Sequence, residues 1–287
     1  MIDTTQSAAV LALGPGATLR YFVDDYTDPW HRPDIVLMLH GIAEQAVIWR
    51  PWVPHFARSY RVVRPDLRGF GGSSPLPADR PFTLADWADD IEELIATLGG
   101  RRVHLVATKL GALIAFELAQ RRHPWIASMS LAGMLASPSN SLGGWINEWI
   151  ALVENEGVES WARATMPGRM GDNLSPAATA WWTRLMGMAP AASVTHCFRL
   201  LPGIEGPPNP DRVDCPTLFL AAAGDGFVAG AYNQRPLPSD LRRLQQRVPR
   251  SELVSIEANS YHIAATHPDL CAQRVLDFIT KLGADAR

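Results

Sequence analysis

Short apolar segments alternate with longer amphipathic segments along most of this chain. Most of the apolar segments are apolar at consecutive positions, which favours parallel strands covered on both faces over strands with one face open to water. The predicted strands occupy residues 35–39, 61–65, 103–107, 127–132, 217–223 and 252–257. The predicted helices that separate them occupy residues 83–98, 110–122, 239–248 and 268–282. This repeated order predicts an α/β fold with a mostly parallel, doubly wound sheet.

The alternation stops between residues 136 and 212, where helical patterns follow one another without a strand. We expect this segment to be a helical cap that ends at the proline-rich stretch GPPNPDR, with residues 1–135 and 213–287 forming the core. Five tryptophans in the cap are candidates to line a substrate cavity, although packing within the cap explains them as well. They are Trp145, Trp149, Trp161, Trp181 and Trp182.

Charge, apolar runs and cysteine content limit the binding partners and the cellular compartment to be expected. A net charge of -3 over 287 residues leaves no basic field, so nucleic acid is not expected as a partner. No apolar run is long enough to cross a bilayer, and the N-terminal segment lacks the basic start of a signal peptide. The three cysteines are far apart in the chain, which indicates a reducing compartment and no structural zinc. We therefore expect a cytoplasmic protein without metal or cofactor, and the oligomeric state stays open.

Candidate chemistry follows the predicted strands, where parallel sheets bind ligands at their carboxyl edge. The first strong strand ends in His40-Gly41-Ile42, and the strand at 103–107 runs into the small-residue turn at 107–111. The next-to-last strand is followed by Asp225, and His262 lies in the late loop NSYHIAATHPD. A further turn, RPDLRGFGGSS, contains Asp66, Arg68, Gly69 and Gly71.

These motifs, in this order, resemble the α/β-hydrolase fold family across nearly the whole chain. The resemblance is closest to its small lactonase and esterase branch, such as the 3-oxoadipate enol-lactonases, including the helical cap. It implies that residues 107–111 form the nucleophile elbow, with Asp225 as the acid and His262 as the base. It also implies that the amides of Ile42 and Leu110 form the oxyanion hole, and that the Asp66 turn is mainly structural.

The elbow departs from the family pattern at two positions. Ala107 replaces the first glycine, and Lys109 stands where the family has its nucleophilic serine. A neutral lysine that attacked an ester would form an amide, which hydrolyses slowly, so ordinary acyl-enzyme turnover through Lys109 is not expected.

Three uses of Lys109 stay open. In the first, a charged Lys109 anchors a small ester, lactone or ketone while His262 and Asp225 act as base and orienter. In the second, Lys109 forms a Schiff base, as in a lyase or decarboxylase. In the third, the site is silenced and the protein only binds a ligand.

Two further polar residues are weaker candidates for the site. Glu44 from the loop after His40 and His196 from the cap have a path to the cavity, but a solvated face explains each of them as well.

Overall fold

One sheet runs through the core of the protein. The computed structural model describes residues 8–14, 16–142, 145–223 and 238–285. Within these residues, eight strands are ordered β1-β2-β4-β3-β5-β6-β7-β8. The strands are β1 (Ala8–Ala12), β2 (Thr18–Asp24), β3 (Ile35–Leu39), β4 (Arg61–Pro65), β5 (Val103–Ala107), β6 (Ile126–Ala132), β7 (Thr217–Ala222) and β8 (Ser251–Ile256).

The sheet is parallel from β4 to β8 and antiparallel at one edge. All six predicted strands are present within one residue of their predicted ends, and each pairs in parallel with its neighbours among them. The doubly wound α/β prediction is therefore confirmed. The sequence analysis missed β1 and β2, which pair antiparallel at the edge. β1 is short and its residues alternate between exposed and half-buried, so no continuous apolar run marks it.

Helices connect the strands and cover the sheet. The α-helices are α1 (Val53–Phe56), α2 (Leu84–Leu98), α3 (Lys109–Gln120), α4 (Pro138–Leu142), α5 (Trp145–Glu156), α6 (Val158–Met170), α7 (Pro176–Gly187), α8 (Ala191–Leu200), α9 (Pro238–Arg247), α10 (Ile263–Thr266) and α11 (Pro268–Asp285). Short 3-10 helices span Ala46–Trp49, Leu201–Gly203 and Pro210–Arg212. The helices α4 to α8 follow one another between β6 and β7, in the segment expected to form the cap. We call these five helices, from Pro138 to Leu200, the cap.

Local sequence signals explain where α2 begins and ends. Thr83 caps the helix, since its hydroxyl accepts from the Asp86 amide while the Asp86 carboxylate accepts from the Thr83 amide. This reciprocal pair satisfies two amides that a helix start leaves without intrahelical acceptors. Gly99 ends the helix in the left-handed region at φ 64°, where glycine has no steric penalty.

The turn after β4 is built around one buried carboxylate. Asp66 accepts hydrogen bonds from the Arg20 Nε at 2.6 Å, the Ala46 amide at 2.7 Å and the Gly72 amide at 2.9 Å. Gly71 has a φ of 56°, and a Cβ at that position would collide with the Asp66 carboxyl group. These contacts support the expected structural role of the turn.

The register between β3 and β5 positions the site. Leu39 pairs with Ala107, so the chain leaving β3 runs directly beside the turn that leaves β5. Gly111 in the first turn of α3 packs against this strand, and a Cβ there would collide with the Leu39 carbonyl oxygen. The glycine therefore lets α3 start close to the carboxyl end of β3.

The three cysteines serve as buried apolar side chains. Cys197, Cys215 and Cys271 are buried free thiols. Across the part of the chain that the structure describes, no group of three His, Cys, Asp or Glu side chains is placed to hold a metal ion. In the same residues, no helix combines the length and the apolar character that a membrane span requires.

Candidate active site

Lys109 occupies the strand-to-helix bend in a strained conformation. β5 ends at Ala107, and Lys109 is the first residue of α3 with a φ of 50°. Non-glycine residues rarely adopt such values, and each costs on the order of 1–3 kcal/mol when it persists. The neighbouring Thr108 donates its hydroxyl proton to the Ala132 carbonyl at 2.7 Å, so it is a turn residue rather than a nucleophile.

The Lys109 side chain is buried against the carboxylate of Glu44. Lys109 is 6% exposed, and its Nζ lies 2.8 Å from Glu44 Oε1. Glu44 is 1% exposed, and its second oxygen accepts from the Gly41 amide at 2.8 Å. The alternative that Glu44 belongs to a solvated face is therefore wrong. Among the described residues, Lys109 forms its ion pair with Glu44.

The loop after β3 is shaped to hold this pair. A Cβ on Gly41 would lie 3.0 Å from both Glu44 Oε2 and Lys109 Cδ, closer than most packed side chains allow. Ala43 has a φ of 59°, which is a second strained residue next to the pair. Backbone strain at Lys109 and at the residue before Glu44 indicates a functional constraint rather than ordinary packing.

His262 approaches the same oxygen of this carboxylate as Lys109 does. Its Nε2 is 2.9 Å from Glu44 Oε1, although the N–H direction is not aligned for a regular hydrogen bond. The imidazole is fully buried, and its Nδ1 has no hydrogen-bond partner among the described residues. Asp225, the expected partner of His262, lies outside the described residues, so their contact stays a prediction.

Burial and neighbouring charge separate the pKa values of these three groups. Burial lowers the pKa of Lys109 to about 7, opposed by the Glu44 carboxylate and assisted by the charge of Arg169. Burial also lowers the pKa of His262 to about 4, with help from Lys109. Burial alone would raise the pKa of Glu44, but Lys109 and His262 together hold it well below its usual range. At neutral pH, Glu44 is therefore ionised, His262 is neutral, and Lys109 is close to its titration midpoint.

A small cavity opens beside Lys109 under the cap. Its volume is about 30 Å³, which is room for roughly two water molecules. Ile42 and Leu110 line it, as the predicted oxyanion hole requires, whereas Glu44 and His262 do not. The polar side chains that reach the cavity are those of Lys109, Arg169 and Tyr261, and the remaining walls are apolar.

The cap contributes a buried arginine to this cavity. Arg169, in the last turn of α6, is 5% exposed, and its Nη1 donates to the Tyr261 hydroxyl at 3.2 Å. The Lys109 Nζ lies 5.4 Å from the centroid of the same tyrosine ring. Tyr261 therefore contacts both cations, one at its hydroxyl and one over its face.

The five cap tryptophans divide into three groups. Trp149 and Trp161 line the cavity with Lys109. Trp181 and Trp182 line a separate surface depression, although the Trp182 ring lies 5.2 Å from that of His262. Trp145 is 36% exposed and does not line the cavity. The structure thus places two of the five beside the elbow.

Sequence reasoning underestimated one residue and missed two others. Glu44 has a usable signal, because it follows Gly41 by three residues on a loop that the β3–β5 register places beside the elbow. Arg169 and Tyr261 carry no such signal, since their approach depends on how the cap folds over the core. His196 is turned away, with its Nε2 2.7 Å from the Phe82 carbonyl oxygen.

Comparison with known sequences finds similarity to proteins that are named as hydrolases. Residues 34–155 match the family described as the alpha/beta hydrolase fold. A Variovorax paradoxus protein named as the carbamate hydrolase RutD is 26% identical over 216 residues, covering 70% of this chain and 78% of that protein. The protein of that name from Agrobacterium fabrum is 25% identical over 257 residues, covering 85% of this chain and 92% of that protein.

Comparison with solved structures shows the same fold over more than nine tenths of the chain. The enol-lactonase of Burkholderia xenovorans LB400 superimposes with a TM-score of 0.79 at 20% identity, covering 92% of this chain and 97% of that one. A Thermogutta terrifontis esterase with malate bound gives a TM-score of 0.78 at 20% identity, covering 97% and 99%. The α/β-hydrolase fold implied by the sequence motifs is therefore confirmed.

The lowered pKa of Lys109 can be measured directly, because Lys109 and Lys281 are the only lysines in the chain. In protein labelled with ¹³C-lysine, the Lys109 Cε signal should titrate with a midpoint near pH 7. Glu44→Gln should move the midpoint lower, since the carboxylate that favours the ammonium is lost. The Lys281→Arg variant assigns the two lysine signals, because only the Lys109 signal remains in it.

The same shift predicts how stability depends on pH. The folded state releases the Lys109 proton near pH 7, whereas an unfolded lysine keeps its proton to about pH 10.4. The free energy of unfolding should therefore rise with pH between these values, by at most about 1.4 kcal/mol per pH unit. A Lys109 midpoint above pH 10 would contradict the described environment.

Proposed function

We infer that this chain, which has the α/β-hydrolase fold, hydrolyses a small ester, lactone or carbamate by direct attack of water. The observation that carries this proposal is the buried Lys109–Glu44 pair at the wall of a water-sized cavity. The kinship to proteins named as hydrolases supports the reaction class.

A water nucleophile follows from the chemistry of the elbow residue. If the Lys109 amine attacked the substrate carbonyl, the product would be a stable amide on the enzyme. The cavity beside Lys109 has room for water and is otherwise lined mainly by apolar side chains. A water molecule held there is adjacent to the amine without any covalent intermediate being required.

We assign the role of general base to Lys109 itself. The neutral amine donates one N–H to Glu44 Oε1, which leaves its lone pair free to accept a proton from water. A general acid–base group works best when its pKa is near the operating pH, and among the three coupled groups only Lys109 meets this condition. Glu44 then orients the amine and stabilises the ammonium that forms, as the aspartate does for histidine in a catalytic triad.

The sequence-based hypothesis is modified in this respect. It made His262 the base on water, but His262 does not line the cavity and its Nε2 faces Glu44. We place His262 beside Glu44, where its buried ring packs against the carboxylate that orients Lys109. Its rate contribution would then be indirect.

The proposed reaction has two balanced steps. The water oxygen forms a bond to the carbonyl carbon, the water proton moves to Lys109 Nζ, and the carbonyl electron pair moves to its oxygen. The amides of Ile42 and Leu110 donate to that oxyanion; the Leu110 amide is free for this, because first-turn helix amides have no intrahelical acceptor. The tetrahedral intermediate then collapses, the bond to the leaving group breaks, and the Lys109 ammonium returns its proton to that group.

The role of Glu44 predicts a loss of rate with a shifted pH profile. Glu44→Gln should lower kcat/KM on p-nitrophenyl acetate, γ-butyrolactone or ethyl carbamate, whichever is turned over, by roughly 10²–10⁴. The limb of the pH profile that reports Lys109 should move to lower pH. Glu93→Gln, on the exposed face of α2, is the matched control and should leave both unchanged. An unshifted profile with an unchanged rate would remove Glu44 from the mechanism.

A second candidate function is imine chemistry on a ketone or aldehyde. Its specific support is that burial and the charge of Arg169 lower the pKa of Lys109, which are the conditions that activate Schiff-base lysines. The amine would add to the carbonyl carbon, and loss of one water would give a neutral imine. A proton taken up from solvent by the imine nitrogen would give the iminium, which can accept electrons from a breaking bond. This assigns the chain to the lyases rather than the hydrolases.

Borohydride trapping separates the two candidates. Incubation with 4-oxopentanoate or acetone and sodium borohydride should leave Lys109 unmodified if the hydrolytic proposal is correct, as read by peptide mass spectrometry. The Lys281→Arg variant removes the other lysine side chain and simplifies the assignment. A reduced adduct confined to Lys109 would instead establish the imine route. No adduct together with no turnover of any ester, lactone or carbamate would favour a non-catalytic, ligand-binding protein.

A further inference from the structure

We propose that Arg169 is the anchor for a carboxylate, so that the substrate is a short organic anion with its reactive carbonyl a few atoms from the carboxylate. This inference specifies the substrate class. It rests on the proposed function, in which the carbonyl is the group that water attacks. Arg169 binds the substrate carboxylate in this account and takes no part in proton transfer.

The first observation is a buried guanidinium without an acidic partner. Arg169 is 5% exposed, and no carboxylate among the described residues lies within ion-pair distance of it. By contrast, Arg64, the other fully buried arginine of the described chain, pairs with Asp24 at 2.7 Å. A buried charge that lacks a counter-charge costs several kcal/mol, so its retention needs a reason.

The second observation is that the guanidinium keeps an unused donor. Nη1 donates to the Tyr261 hydroxyl at 3.2 Å and Nη2 to the Thr165 hydroxyl at 3.0 Å. The group also lies 4.9 Å from the Trp161 ring centroid. Among the described residues, the buried Nε has no hydrogen-bond partner. The contacts that Arg169 makes with these residues are all with neutral groups, so none of them compensates its positive charge.

The third observation is that Arg169 lines the same cavity as Lys109, Ile42 and Leu110. Tyr261 contacts both cations, so a ligand of a few atoms reaches from the guanidinium to the elbow. The walls between them are apolar and include Leu113, Trp149 and Phe198, which suit a short hydrocarbon link. Because the described cavity holds only about two waters, a ligand must displace cap side chains as it enters.

The two cations have different roles in this arrangement. Lys109 already has the Glu44 carboxylate at 2.8 Å, and a second carboxylate beside it would be repelled by the first. Arg169 has no such competitor and presents the planar donor geometry that carboxylates match. The carboxylate therefore belongs at Arg169 and the carbonyl at Lys109.

The test compares two unreactive probes of equal length, succinamate and succinamide, which differ only in one carboxylate. By calorimetry, the protein should bind succinamate at least about tenfold more tightly than succinamide. Arg169→Met should reduce this preference to about threefold or less, and Arg169→Lys, which keeps the charge but loses the fork, should retain part of it. Arg163→Met, on the same helix but 65% exposed at its side chain, is the matched control and should keep the full preference.

The outcomes separate this inference from the proposed function. Equal binding of the two probes by the unmodified protein, or an unchanged preference in folded Arg169→Met, overturns the carboxylate anchor. Should Arg169→Met fail to fold, the unmodified protein and Arg169→Lys decide the question. An undiminished preference for succinamate in Arg169→Lys would count against recognition by the planar guanidinium group. Rates on monomethyl and dimethyl succinate complete the test. Equal turnover of the two esters would support hydrolysis but contradict the role of Arg169 as carboxylate anchor. Binding of succinamate that depends on Arg169, without turnover of either ester, would support the anchor but contradict hydrolysis.

Discussion

The buried contact between Glu44 and Lys109 is the constraint around which the rest of the site is arranged. Two ionisable groups are taken out of water at the end of the sheet, and each is tolerable there only because the other is present. Gly41 leaves the space for both side chains, and the left-handed backbone at Ala43 and Lys109 turns them toward each other. His262 and the Gly41 amide complete the surroundings of the carboxylate.

The Lys109–Glu44 pair replaces the serine chemistry that is expected at this elbow, while the strand-to-helix bend between β5 and α3 is kept. The bend still presents residue 109 beside Ile42 and Leu110, as the fold requires. A serine at this place would need an external base, whereas a lysine held near its titration midpoint is itself a base with an orienting carboxylate. In the proposed reaction, an amine and an acid therefore replace the hydroxyl, imidazole and acid of a serine hydrolase. The cap then adds Arg169, which lines the same cavity and which we propose as the group that selects anionic ligands.

Much of the fold could be predicted from sequence, because buried parallel strands leave continuous apolar runs and α2 has a recognisable capping pair. The antiparallel edge at β1 and β2 lacked such a run and was missed. At the site, the bend at Lys109 was predictable from its small-residue turn. The burial of Glu44 was not, since a glutamate in a loop is usually solvated and only the strand register brings it beside the amine. The position of Arg169 depends on tertiary packing of the cap, which no local pattern encodes.

A double-mutant cycle on the Glu44–Lys109 pair tests this account most directly. At pH 6, where Lys109 is protonated and Glu44 ionised, urea unfolding would be measured for Lys109→Met, Glu44→Leu and the double variant. Each single change strands a buried charge and should cost about 3–5 kcal/mol, whereas the double variant should cost at least about 2 kcal/mol less than their sum. Additivity within about 0.5 kcal/mol would contradict the claim that each group depends on the other.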